Sequence, residues 1–248
     1  MDTPSIASIT LGLAMALSPT VSARAAELRV LAGGATTAIM GELVPQFERA
    51  TGHKLTVQFA GTPELIKLAT SGPFDLGFVP VDVMKDAVAR AKFGPTTDIA
   101  RVGFGVAIRA GAPKPDVSTP DALKATLLKA QSVTLYPESA AGAYVLKTFE
   151  RLGIGEAMNA KVKPQPPGKI AEAVVQGDAE LGVFLTNVLI APGVELAGPF
   201  PADLQQDLVF VGAVAADTKE VDASKAFIAY LKTPEATAII KAKGMTPG

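Results

Sequence analysis

The residues best suited to chemistry here are hydroxyls and small residues clustered where helices are expected to begin. The stretch VLAGGATTAI, Val30 to Ile39, places Gly33, Gly34, Ala35, Thr36 and Thr37 between an apolar run and an amphipathic one. FAGTPEL carries Gly61 and Thr62, and PESAAGAY carries Ser139, Ala140, Ala141 and Gly142. Unpaired backbone N–H groups and the positive dipole end of a helix start favour a bound anion. The first stretch has three readings: a nucleotide loop, a free-anion site, or a tight turn with a cap. It has neither the Lys-Ser/Thr of a P-loop nor G-x-G-x-x-G spacing, which sets the nucleotide aside. Thr62, followed by Pro63, suits a helix cap as well as a ligand contact, and one hydroxyl can serve both. Ser139 to Gly142 carries the same pair of readings.

The remaining chemistry is narrowed by what is missing. Cysteine is absent and His53 is the single histidine. Disulfides, thiolate nucleophiles and Cys- or His-rich metal sites are therefore excluded. A Ser-His-Asp triad would have to use His53, which sits in ATGHKL, a polar turn between a helix and a strand. Glu138 has no identifiable carboxylate partner and reads as a solvated loop residue. No catalytic residue, metal or cofactor is expected. Formal net charge is −1, with no long basic run, which argues against nucleic acid and an anionic membrane surface. A bound anion would have to be held by local dipoles.

The elements that must position these residues alternate along the chain. Residues 1–25 form an expected signal peptide: ITLGLAMAL is too short to span a bilayer, and Ala23 and Ala25 suit cleavage after Ala25. Its first residues, MDTPSIAS, carry no Lys or Arg. LRVLA, KLTVQFA and DLGFVPV are strand candidates, separated by helical runs. In the first run Ile39, Leu43, Val44 and Phe47 share a face, Pro45 predicts a kink, and Gly52 is a stop. This β-α-β-α-β-α series predicts a mostly parallel sheet with ligands at the carboxyl ends of its strands. The alternation resumes after Arg101 and ends in two helices, the second opening with Thr233-Pro234-Glu235. Val102–Ile108 and Leu208–Val214 read as long strands crossing between two α/β lobes, a two-strand hinge. Lobe 1 is then 26–104 plus 212–248, and lobe 2 is 105–211. Phe78 and Phe184 follow strand periodicity and are expected in the core.

The ordered pieces LRVLAGGATTAIMGELVPQFERATGHKLTVQFAGTPEL, AAGAYVLKTFERLGI, GDAELGV and AFIAYLKTPEATAIIKAKGM resemble the periplasmic solute-binding proteins of ABC transporters. More narrowly they are similar to the molybdate-binding branch of the type II fold, over nearly the whole chain from Ala26. The resemblance implies a two-lobed, non-enzymatic, periplasmic monomer that holds a dehydrated oxyanion with hydroxyls and backbone N–H groups. It also implies an inner-membrane ABC permease as partner. Carried across, its first-loop serine falls on Ala35, with Gly34, Thr36 and Thr37 beside it. Its second-loop serine falls on Thr62, next to Gly61. A backbone donor falls on Ala141, flanked by Ser139 and Gly142, and another contact falls near Lys169–Ile170. The tyrosine of its second lobe falls on Leu185, in LGVFLTNV, with Thr186 and Asn187 as neighbours. Two side-chain donors are thus lost, each worth about 1.5–3 kcal/mol to a charged ligand. Together that is roughly two to four powers of ten in affinity. The expected ligand is a small molybdate- or tungstate-like anion; the alternative is a small organic carboxylate, and less so a cleft isomerase or hydrolase. Tyr136 is either a core aromatic or a cleft wall for an organic ligand. Lys169 is either an exposed lysine or a partner for a carboxylate.

Overall fold

The computed structural model describes residues 25–248. The expected signal peptide therefore lies, but for Ala25, outside the described residues. The strands are β1 (Glu27–Gly33), β2 (Lys54–Ala60), β3 (Leu76–Pro80), β4 (Phe93–Val102), β5 (Phe104–Arg109), β6 (Val133–Leu135), β7 (Val162–Pro164), β8 (Leu181–Leu185), β9 (Val194–Pro199), β10 (Leu208–Ala215) and β11 (Thr246–Pro247). The helices are α1 (Thr37–Thr51), α2 (Thr62–Ser71), α3 (Ala87–Arg90), α4 (Pro120–Lys129), α5 (Ala140–Arg151), α6 (Gly155–Asn159), α7 (Ile170–Gln176), α8 (Thr186–Leu189), α9 (Val221–Tyr230) and α10 (Pro234–Ala242).

Local sequence accounts for most of these bounds. α1 buries Ile39, Met40, Leu43 and Phe47, which recur at helical spacing. It ends at Gly52, whose φ of 77° is the left-handed conformation glycine tolerates. Pro45 lies on the exposed face and the helix runs through it. The Thr233 hydroxyl accepts the Ala236 N–H, capping α10 ahead of Pro234. The helix expected over DVMKDAVARA is split: a 3-10 turn, Val81–Lys85, precedes α3, and Asp86 caps the latter by accepting from Val88 and Ala89 N–H.

Two mixed sheets result, ordered β11-β4-β10-β3-β1-β2 and β7-β6-β8-β5-β9. Parallel pairing is less extensive than expected. It joins β1 to β2 and β3, and β6 to β7 and β8. Every antiparallel pair involves β4, β5 or β10, the strands that flank the passages from one sheet to the other. The single strand expected over Val102–Ile108 is broken at Gly103, with β4 in one sheet and β5 in the other. β9 lies in the stretch 192–201, whose prolines suggest a loop, and β4 contains Pro95. Both tolerate them: β9 is an edge strand, and β4 has only the two-residue β11 on its outer side. β10 belongs to the six-stranded sheet from Leu208 onward, so the boundary expected at 212 falls inside a strand and the second passage is over 200–207. Gln205 laces the two passages together, its side chain accepting Phe104 N–H at 2.8 Å and donating to Phe104 O at 2.9 Å.

His53 is structural. Its Nδ1 accepts Ala26 N–H at 3.0 Å and its ring stacks on Phe47, pinning the start of β1. Phe78 and Phe184 are fully buried.

Candidate functional site

The carboxyl ends of β1, β2 and β3 from one lobe meet those of β6 and β8 from the other. Between them lies a small cavity of about 30 Å³. Its first-lobe wall is Gly33, Gly34, Ala35, Ala60, Gly61, Thr62 and Pro80, and its second-lobe wall Tyr136, Ser139, Ala140, Ala141, Phe184 and Leu185. Leu208 and Phe210 close it from β10. None of these residues is charged. The starts of α2 and α5, and the 3-10 turn Gly34–Thr36 that leads into α1, adjoin the cavity. Their backbone N–H groups and dipoles supply a positive potential without a cation.

Two hydrogen bonds cross from lobe to lobe beside it. Ala140 N–H donates to Thr62 Oγ1 at 3.1 Å, and Asn187 Nδ2 donates to the Ala35 carbonyl at 2.8 Å. The lobes also touch at Gly61. A Cβ added there would lie 2.7 Å from the Glu138 carbonyl and 2.9 Å from Tyr136 Cε1.

Of the residues expected to bind ligand, Gly34, Ala35, Gly61, Thr62, Ser139, Ala141 and Leu185 line the cavity, while Thr36, Thr37, Gly142, Lys169 and Thr186 do not. Each displaced residue has another bonding role or packing constraint. The buried Thr36 hydroxyl donates to Gly33 O and the Thr37 hydroxyl to Gly34 O, both at 2.8 Å. Gly142 is a packing glycine, since a Cβ there would fall 1.9 Å from the Tyr136 carbonyl. Its N–H is capped by Ser139 Oγ, whose own proton goes to Tyr136 O. Lys169 pairs with Glu172 at 2.5 Å on the surface. Thr186 binds Gly103 O through its backbone N–H at 3.0 Å. The one expected side-chain donor that faces the cavity with its proton uncommitted is Thr62, whose Oγ1 acts as acceptor to Ala140.

Sequence reasoning left Tyr136 between core and cleft, and the structure places it on the cavity wall. Its hydroxyl has no hydrogen-bond partner among the described residues. Burial, followed by the nearby charges of Glu138 and Glu64, pushes its pKa up, so the phenol stays protonated and is a donor. Asn187, a sequence neighbour of Leu185, is a tie between the lobes. Its Oδ1 is buried without a partner. Neither role carries a motif, because both follow from how the two lobes face each other. Among the described residues no group of three or more His, Cys, Asp or Glu could hold a metal ion. No described helix is long and apolar enough to cross a membrane.

The sequence matches the family of bacterial extracellular solute-binding proteins over residues 28–246. The chain belongs to that family. Two curated relatives within reach of this solute-binding protein differ in kind. It is 31% identical over 256 residues to an aconitate isomerase of a Pseudomonas species, covering 98% of this chain and 97% of the relative. It is 28% identical to the molybdate-binding protein ModA of Azotobacter vinelandii, covering 90% and 91%. Among solved structures, the Azotobacter vinelandii periplasmic molybdate-binding protein superposes with a TM-score of 0.72 at 19% identity, covering 88% of this chain and 98% of that one. That likeness establishes the two-lobed α/β fold and leaves the ligand open.

Proposed function

We propose that this solute-binding protein works in the periplasm, closing its lobes on a small organic carboxylate and passing it to an ABC permease. The observation that carries the carboxylate reading is the composition of the cavity wall. A bare tetrahedral oxyanion needs directed donors all round, yet Ala35 and Leu185 stand where the resemblance calls for hydroxyls. The protons of Thr36, Thr37 and Ser139 are committed to carbonyls. What faces the cavity is Thr62 and the Tyr136 phenol, together with helix-start amides on one side and Phe184, Leu185, Leu208 and Phe210 on the other. That asymmetry suits a ligand with an anionic end and an apolar body. The aconitate isomerase relative, named for a carboxylate, supports the same class.

The name of that relative also favours a second reading, in which the cleft isomerises its ligand. Proton abstraction from carbon needs a base. The inner cavity, where the first carboxylate is held, has no carboxylate, histidine or lysine in its lining, and Tyr136 is held protonated, which favours binding.

Calorimetric titration of the chain from Ala26, with a thermal melt beside it, tests both. The panel is acetate, succinate, citrate and both aconitate isomers against molybdate, tungstate and sulfate. A carboxylate at 100 times its dissociation constant should stabilise the protein by about 2.7 kcal/mol. Binding of molybdate or tungstate with no carboxylate bound would overturn the carboxylate reading. Conversion of one aconitate isomer into the other, followed by proton NMR, would establish the isomerase.

A further inference from the structure

We infer that the ligand carries a second carboxylate, joined to the first by a short carbon chain and received by Lys147 in a chamber beside the candidate cavity. This rests on the carboxylate reading above. The chamber, about 250 Å³, also lies between the lobes, and Ala140 and Leu208 line both spaces. The inner cavity has no charged wall residue. The outer chamber has three: Asp82 and Lys85 after β3, and Lys147 on α5. Lys85 is engaged by Asp82 at 2.5 Å, whereas Lys147 makes no ion pair among the described residues. Two lysines against one aspartate leave one net positive charge. The other polar groups add little for an anion: the Tyr144 hydroxyl donates to Leu204 O at 2.6 Å and is committed, which leaves the Gln206 side chain.

The spacing suits a short-chain dicarboxylate. Lys147 follows Ala140 by seven residues, so the two lie on one face of α5 about 10 Å apart along its axis. Ala143 and Tyr144 lie between them on the chamber wall. A lysine side chain slants back toward the helix N-terminus and extends about 6 Å. The Lys147 side chain thus leans back along the chamber wall toward the helix start, where the far carboxylate of a short-chain dicarboxylate can meet it. A monocarboxylate filling the inner cavity does not reach it. Neutral dipoles hold one end of the ligand, and a point charge selects for the other.

The test compares two affinities in one protein. Dissociation constants for propionate and for succinate are measured by calorimetry on the wild type, on Lys147→Met and on Lys147→Arg. In the wild type succinate should bind at least tenfold more tightly than propionate. Lys147→Met should lower that ratio about tenfold, as expected for loss of a charge-assisted hydrogen bond, and Lys147→Arg should restore most of it. An unchanged ratio in Lys147→Met overturns the inference while leaving the carboxylate reading intact. So does a wild type that binds propionate as tightly as succinate. Binding of oxyanions alone, or of no anion, removes the carboxylate reading itself and the inference with it.

Discussion

Gly61→Ala separates closure from folding. Gly61 sits at φ −76° and ψ 167°, extended backbone that alanine adopts without strain. The added Cβ would meet the Glu138 carbonyl at 2.7 Å and Tyr136 Cε1 at 2.9 Å, both on the other lobe. Contacts that close cannot stand, and overpacking of this kind costs about 1–3 kcal/mol. Here the strain has an escape, because the lobes can part at Gly103 and over 200–207. The closed population should therefore fall by a factor of about 5–150, and ligand affinity with it. The unliganded fold should hold or gain slightly, since losing a glycine stabilises by about 0.4–1 kcal/mol through the unfolded chain. Gly142→Ala is the matched control. Its Cβ would lie 1.9 Å from the Tyr136 carbonyl and 2.7 Å from Pro137 Cα, inside one lobe. No hinge motion relieves that, so the apo melting midpoint should drop by about 4–8 °C for a loss near 2 kcal/mol. Small-angle scattering of the unliganded proteins and thermal melts give both readouts. If Gly61→Ala melts as low as Gly142→Ala, with scattering identical to wild type, the reasoning is wrong.

Three further outcomes follow from particular contacts. Tyr136→Phe should weaken carboxylate binding by roughly 10- to 100-fold, with the melting midpoint moving by less than about 2 °C, because the lost hydroxyl bonds no described residue; calorimetry and a melt check it. Asp75 is pushed up by burial, but Arg29 and the Thr218 hydroxyl outweigh this and hold its pKa below the usual value. A depressed folded pKa gives stability that is full at neutral pH and lost as pH falls from about 4 through the folded pKa. The midpoint difference between wild type and Asp75→Asn should thus be widest above about pH 5 and shrink below pH 4. Thr233→Ala should cost about 1 kcal/mol by uncapping α10, a fall of about 2–4 °C in a melt.

What was legible in the sequence was whatever depends on neighbours along the chain. The apolar stripe of α1, the glycine stop at Gly52, the Thr233 cap and the alternation in β2 are local, and each lies where local rules put it. Half-buried outer strands were not legible: the prolines of 192–201 mask β9 as a loop, β4 lacks a clean alternation, and only pairing across the sheet makes them strands. The cavity follows the same division. Gly34, Gly61, Thr62 and Ser139 line it at helix starts, which have a sequence signature, whereas Ala35 and Ala141 were named through the family resemblance. Whether a hydroxyl there points at a ligand or back at its own turn is decided by rotamer, which no spacing reveals. Thr36 and Ser139 donate to the carbonyl three residues earlier, a local alternative that competes with any ligand. Asn187 reaches Ala35 across 152 positions of chain, a contact that no local pattern signals.

The Ala35 position shows how the loss of a donor bears on closure as well as affinity. Its side chain offers nothing to an anion, but its carbonyl takes the Asn187 amide of the other lobe, while Thr62 takes Ala140 N–H. The lobes are thus tied to each other at two points by their own groups, each tie worth about 0.5–1.5 kcal/mol. A closed state supported by about 1–3 kcal/mol of its own bonds needs less from the ligand, because apparent affinity scales with the fraction of protein already competent. A carboxylate that finds fewer donors than an oxyanion would require can still be held tightly when part of the cost of closing is already met. The Ala140 N–H engaged by Thr62 sits in the first turn of α5, at the edge of both chambers, so a ligand carboxylate entering there meets the tie and the helix start together.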